Sequence, residues 1–271
     1  MSTFSELKNS WQSLGVDDPL WAILNDPKAK GGRWSVEEFL QTGEIEVDRV
    51  FAWLETRGPK KIRYGRALDF GCGAGRLTQA LAKRFDRCSG LDIAQSMVEA
   101  AQKLDPPGNC EFIVNERPDL SLFADGSFDF IYSSIVLQHI PPPYAVNYIS
   151  EFCRLLAPGG LVAFQIPIRK HVPLGPRLTE LKHWLAAKVA LRTRLRRLRG
   201  EPVLPTQKAR IEMHTVPKTV VRRRLTAGGV ALVASAFTNS CDLSFNGNLE
   251  ISDQPRYYAY YLSGFFAGQK R

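Results

Sequence analysis

The chain has 271 residues, 44% of them hydrophobic, and a formal net charge of +9. That length and apolar content bury a full core as one domain with additions at each end. No stretch reaches the ~18 consecutive apolar residues of a membrane span, and Met-Ser-Thr-Phe-Ser-Glu lacks the basic-then-apolar layout of a secretory leader. Cys72, Cys88, Cys110, Cys153 and Cys241 are scattered and never C-x-x-C. They are read as free thiols of a reducing cytosol, so a cytoplasmic location is expected and no metal site.

Residues 1–60 are rich in aromatics, including Trp11, Trp21, Trp34, Phe39, Phe51 and Trp53. Asp17–Trp21 and Lys30–Trp34 read as turns. Ser35 with Glu38 three residues on forms a capping box, which predicts one helix from Val36 to about Thr42 and a second over Glu44–Thr56. The segment is expected to be a helical cap. Trp34, beside Gly31-Gly32, is a candidate acceptor contact, whereas Trp21 and Trp53 are expected to serve the core.

Ala67-Leu-Asp-Phe-Gly-Cys-Gly-Ala-Gly-Arg-Leu-Thr78 is a short apolar strand, a glycine-rich turn and a helix start. Such a turn aims backbone N–H groups above the sheet, and glycine lets a ligand approach that backbone closely. A dinucleotide fingerprint would put its third glycine at 76, where Arg76 stands. A P-loop is absent. Asp69, two residues before Gly71, suits a ligand that carries positive charge. Gly71, Cys72, Gly73 and Gly75 complete the turn, with Cys72 read as a small filler rather than a nucleophile.

Cys88–Asp92 is a second strand ending in an acid 19 residues beyond Gly73. That is close to the ~20-residue offset at which a carboxylate reaches a ribose in doubly wound folds. Ile93 and Met97 follow, placed to flank an adenine. Cys110–Val114 reads as a third strand, with Leu120 in the next loop as a candidate adenine contact. Ser127–Ser134 reads as the fourth strand. Tyr144–Leu156 is helical, and Ala157-Pro-Gly-Gly160 turns into a fifth strand over Leu161–Ile166.

The order D-x-G-x-G-x-G, then "GLDIAQSMVEAA", then Phe128-Asp129 with "LQHIP", then "LLAPGGLVAFQIP" resembles the class I S-adenosylmethionine (SAM)-dependent methyltransferases over about residues 65–168. The resemblance implies an α/β fold with a doubly wound, seven-stranded, mostly parallel sheet, strand seven being antiparallel. It also implies SAM as cofactor, contacted by Asp69, Gly71, Cys72, Gly73, Gly75, Asp92, Ile93, Met97, Leu120 and Ser133. The expected division is a cap (1–60), a SAM-binding core (61–168), a basic lid insertion (169–214) and the rest of the core sheet (215–271). Residues 177–199 read as a basic helix with an apolar stripe. The competing roles for it are a solvated lid face, a site for an anionic or lipid-linked acceptor or a membrane surface, and an RNA-tracking face, which is the weakest. Pro217–Ala227 reads as a helix, Val230–Phe237 as strand six and Tyr257–Leu262 as strand seven.

A hydroxyl acceptor needs a general base near neutrality, which favours histidine. His139, just after strand four, is the first candidate, with Gln138 beside it as an acceptor contact. His214 is the second, should its loop fold over the pocket. The expectation is methyl transfer to a small molecule or glycan, most readily at a hydroxyl oxygen. The alternatives are an RNA methyltransferase and a non-catalytic SAM-binding scaffold. The oligomeric state is open.

Overall fold

A computed structural model describes residues 3–57, 61–171, 212–242, 245–258 and 260–271. The basic segment 177–199 and most of the expected lid 169–214 lie outside the described residues. Three helices open the chain: α1 (Phe4–Asp17), α2 (Pro19–Ile23) and α3 (Val36–Arg57). The core follows with β1 (Arg66–Phe70), α4 (Arg76–Ala82), β2 (Arg87–Asp92), α5 (Gln95–Lys103), β3 (Cys110–Val114) and β4 (Phe128–Ser133). A single 3-10 turn (Leu137–His139), α6 (Pro142–Leu155), β5 (Leu156–Lys170), α7 (Lys218–Ala227), β6 (Val230–Thr238), β7 (Ile251–Ser252) and β8 (Tyr261–Lys270) complete it.

The strands form one sheet in the order β3-β2-β1-β4-β5-β8-β6-β7. β3, β2, β1, β4 and β5 are parallel, and β8 runs antiparallel between β5 and β6. The order reverses between β1 and β4, which opens a crevice beyond their carboxyl ends. Side chains alternate across the sheet, as strand geometry requires. Leu68, Ile131, Val162 and Phe164 join Ile149 and Phe152 of α6 and Val221 and Leu225 of α7 on one face. Ala67, Phe130, Tyr132 and Ala163 join Val47, Val50, Phe51 and Leu54 of α3 and Leu77 and Leu81 of α4 on the other. Both faces of the parallel part are therefore covered, as parallel sheets demand.

Three expectations are corrected. The seventh strand lies at Tyr261–Lys270, not Tyr257–Leu262, because the tyrosine run is spent on a turn closed by Tyr258 and Tyr261. A two-residue edge strand, β7, makes the sheet eight-stranded. Val36–Thr42 and Glu44–Thr56 form one helix, α3, running through Gly43. Gly43 marks a close approach rather than a break, since a Cβ there would lie 2.2 Å from the Arg76 carbonyl oxygen.

That approach brings α3 onto the start of α4, where Arg76 and Glu46 are buried at 2% and 0% exposure. Arg76 Nη2 donates to Glu46 Oε2 at 2.7 Å, and Tyr132 Oη donates to Glu46 Oε1 at 2.8 Å. One carboxylate thus ties α3, α4 and β4 together. Nearer the N-terminus, Asp18 caps α2 through the Trp21 N–H, and its Oδ2 accepts from the N–H groups of Gly31 and Gly32 at 2.7 and 2.9 Å. Asp17–Trp21, read as a turn, is therefore the junction of α1 and α2. α1 starts with a Thr3–Glu6 capping box and lies on α5, where Ser96 bonds Gln12 through its N–H and its hydroxyl.

Removing one partner of a buried ion pair strands the other charge and costs about 3–5 kcal/mol. Glu46→Ala is expected to lower the unfolding free energy by about that amount. Urea denaturation checks it, and Glu46→Gln, which still accepts from Tyr132, is expected to fall in between.

Candidate functional site

Beyond β1 the chain turns through Gly71, Gly73 and Gly75, all left-handed at φ of 81°, 52° and 83°. Side chains cannot fit there: a Cβ on Gly71 would lie 2.3 Å from Val136, and one on Gly73 2.5 Å from Ile23. The turn is held to β2 by the Gly71 and Cys72 N–H groups, which donate to the Leu91 carbonyl at 2.7 and 2.9 Å. Gly73 N–H donates to Asp92 Oδ2 at 2.9 Å, while Asp92 Oδ1 accepts from Ala94 N–H at 2.9 Å. Each Asp92 oxygen keeps acceptor capacity for a ligand.

These groups open on a cavity of about 270 Å³ at the sheet's switch point. Gly71, Gly73, Asp92, Ile93, Met97 and Asn115 form one end, and Gln138, His139, Met213, Ser240, Cys241 and Asp242 also line it. Phe4, Leu7 and Trp11 of α1 and Ile23 of α2 line it as well. The Trp11 ring meets the His139 imidazole edge-on, with centroids 5.5 Å apart. The wall is mostly apolar. Among the described residues it carries Asp92 and Asp242 and no lysine or arginine, against the chain's overall positive charge.

Buried carboxylates add to that bias. Asp69, 1% exposed, is pushed up to about 7 by burial, although the Thr78 hydroxyl on Oδ2 and the Arg76 charge oppose the shift. Its Oδ1 has no hydrogen-bond partner. Burial raises Asp92 too, against the N–H groups of Ala94, Gly73 and Ile93. Two desolvated carboxyls around a glycine turn make a place for a cationic ligand.

His139 is half-buried, and burial pushes its imidazole down to about 4, so it is neutral at pH 7. Its Nδ1 lies 3.1 Å from the Glu212 carbonyl oxygen and its Nε2 3.1 Å from Gln138 Nε2.

Residues 67–160 match the family described as "Methyltransferase domain". The chain is 32% identical over 163 residues to a ubiquinone biosynthesis O-methyltransferase of Xanthomonas oryzae pv. oryzae (strain PXO99A), covering 59% of this chain and 57% of that protein. It is 28% identical over 166 residues to the enzyme of the same name from Thiobacillus denitrificans, covering 60% of each. The chain thus spans under two thirds of the length of these curated relatives. In fold it is similar to the magnesium protoporphyrin IX methyltransferase of Synechocystis PCC 6803 solved with bound SAH, at a TM-score of 0.57 and 20% identity over 98% of this chain and 99% of that one. Residues 67–160 thus match a methyltransferase domain, set in the fold of the class I SAM-dependent methyltransferases.

Within this methyltransferase core, the structure brings Gly71, Gly73, Asp92, Ile93, Met97, Gln138 and His139 to one cavity. The remaining candidates lie elsewhere. Asp69 sits behind the turn on Thr78. Cys72, 4% exposed, turns away from the cavity, and burial raises its thiol far above the ordinary range, which removes it as a nucleophile. Gly75 packs under Phe112 and Ala101. Leu120 is fully buried with its N–H on Glu151, and Asn115 reaches the cavity wall instead. Ser133 donates to the Phe70 carbonyl at 3.1 Å, joining β4 to β1 rather than facing the cavity. Trp34 bonds the Leu24 carbonyl and meets Phe39 edge-on, so the cap's tryptophan at the cavity is Trp11.

His214 does not line the cavity, but its loop does fold there: Met213 is in the wall and His214 N–H donates to the Gln138 carbonyl at 2.7 Å. Leu7 was missed, and Phe4 and Trp11 were counted only among the cap's aromatics, although the Thr3–Glu6 capping box and their helical spacing mark an amphipathic α1. Ser240, Cys241 and Asp242 carry no local signal of their role.

A group whose folded pKa is raised keeps its stabilising share below the unfolded value and loses it as pH rises through the folded one. Asp69 therefore destabilises the protein progressively between about pH 4 and 7. The melting temperature of Asp69→Asn is expected to gain on the parent across that window and to level off above it. Thermal melts at pH 5, 6, 7 and 8 check this.

Proposed function

We propose that the protein transfers the methyl group of SAM to a small-molecule acceptor, at a hydroxyl oxygen. The observation that carries this reading is the single cavity that joins the glycine turn and Asp92 to His139 and Gln138. The residues fit the cofactor. Asp92 ends β2 at the cavity with acceptor capacity for ribose hydroxyls, and Ile93 and Met97 supply apolar surface for a base. The acidic wall, with the buried Asp69 behind the turn, suits a ligand with an ammonium and a sulfonium.

When bound, SAM supplies an activated methyl. The protein's share is to align the acceptor oxygen, exclude water and hold the proton that leaves it. Phe4, Leu7 and Trp11 line the cavity with apolar surface, and that wall favours a flat or aliphatic acceptor. The neutral His139 carries an Nε2 lone pair to which an acceptor hydroxyl gives its proton once it takes the place of the Gln138 amide. The relatives named as O-methyltransferases support transfer to oxygen. Among the described residues the wall offers no cation to an anionic acceptor.

Asp92→Ala is expected to weaken SAM binding at least ~100-fold in calorimetry, since a desolvated, hydrogen-bonded carboxylate is lost. Unchanged affinity would overturn the cofactor assignment. His139→Ala is expected to lower kcat by about 10²–10⁴-fold with SAM affinity kept. Incubating the protein with methyl-labelled SAM and metabolite extracts, then identifying the labelled product, tests the acceptor class. A labelled RNA or glycan and no labelled small molecule would contradict it.

A further inference from the structure

Gln165 lies in the middle of β5, is fully buried and does not touch the cavity. Its Oε1 accepts from the Ile135 N–H at 3.1 Å, and a backbone N–H can only donate. That contact fixes which end of the amide is oxygen. The Nε2 end then donates to Ser263 Oγ at 2.6 Å and to Gln138 Oε1 at 3.2 Å. Gln138 is oriented in turn: its oxygen is taken, so its Nε2 faces His139 Nε2 at 3.1 Å as the donor. On the far side of the imidazole, Nδ1 faces the Glu212 carbonyl oxygen, which can only accept. Two independent ends of one chain thus demand the same neutral ring, protonated on Nδ1 and bare on Nε2.

The start of the chain is strained. Ile135 is a β-branched residue at φ 55°, a region such residues rarely enter. The position also lines the cavity, and backbone strain of this kind gathers at functional sites. The left-handed turn at Ile135 is what presents its N–H to Gln165.

We propose that Gln165 is a positioning residue that, through Gln138, sets the tautomer of His139 and keeps its Nε2 lone pair for the acceptor. The tautomer follows from the hydrogen-bond chain alone, whereas its use in catalysis rests on the proposed methyl transfer. The groups around His139 do not reverse the assignment. Met213 and His214 belong to the loop that covers it, and a charge on His214 opposes one on His139. Trp11 comes from α1, Tyr148 from α6, Cys241 and Asp242 from the segment after β6, and Asp92 stands at the end of β2.

Gln165→Glu reverses the chain with almost no change in shape. At a pH where the buried carboxyl is ionised it still accepts from Ile135 N–H but can no longer donate to Gln138, whose amide turns over and offers its oxygen to Nε2, whereas a protonated carboxyl keeps the parent arrangement. The ring must then carry a proton on Nε2 as well. Histidine-15N spectra, assigned with His139→Ala, read this directly. In the parent, His139 is expected as the Nδ1–H tautomer, uncharged from pH 6 to 8. In Gln165→Glu, Nε2 takes its proton at a higher pH, the titration of His139 moving up by about one pH unit or more. The acid limb of kcat/KM moves with it, while SAM affinity measured by calorimetry holds.

An Nε2–H tautomer in the parent overturns the proposal, and so does a His139 titration that is the same in parent and Gln165→Glu. If the spectra change as expected but turnover stays level, the positioning chain stands and the role of His139 in transfer fails.

Discussion

The turn from Gly71 to Gly75 has no room for a Cβ at any of its three glycines, and the rest of the site is arranged around that fact. Its left-handed backbone lets the Gly71 and Cys72 N–H groups grip β2 and the Gly73 N–H reach Asp92. Val136 after β4 and Ile23 of the cap both lean on glycine surface that any side chain would occupy. The cofactor end of the cavity, its floor and its cap therefore meet at one stretch of bare backbone. Behind it, Arg76 begins α4 and reaches Glu46, so the element that follows the turn is anchored to the cap by a buried charge pair.

This anchoring divides the cap into parts with different duties. α3 is built into the core by Glu46, by the close pass of Gly43 and by the tilted ring contacts of Phe51 with Phe85 and Phe130. α1 is held more lightly, by Gln12 on Ser96, an exposed Lys8–Glu116 pair and the rings of Phe4 and Trp11. Exposed pairs of that kind contribute about 0–1 kcal/mol. α1 and α2 together line one side of the cavity.

Much of this could be read from the residues. β1 to β4, the glycine turn and Asp92 follow from local signals, namely apolar runs, turn chemistry and spacing, while His139 and Gln138 after β4 came from the family resemblance and the chemistry of a hydroxyl acceptor. Tertiary partners were not legible. Arg76 excluded a dinucleotide turn on sterics, but nothing in its neighbourhood pointed to Glu46 thirty positions earlier. Gly43 looked like a break because a glycine in a helix carries no record of what passes beside it. β8, written Tyr-Leu-Ser-Gly-Phe-Phe-Ala-Gly-Gln-Lys, hides its strand behind two glycines that fit against Phe266, Ile168 and Val230. The tyrosines before it carried the stronger β signal and were spent on a turn. Ser133, at a strand end, and Leu120, in the loop after β3, were expected at the cavity, but hydrogen bonds to Phe70 and Glu151 draw them inward.

The central claim is that one cavity, floored by the glycine turn and roofed by α1, takes the adenosyl cofactor. Titration with S-adenosylhomocysteine, followed by NMR of the Gly71 and Gly73 amides and the Trp11 indole, tests it most directly. Saturating shifts at all three positions with a common dissociation constant are the predicted result. Binding that leaves the two glycine amides and the indole unmoved would contradict the account.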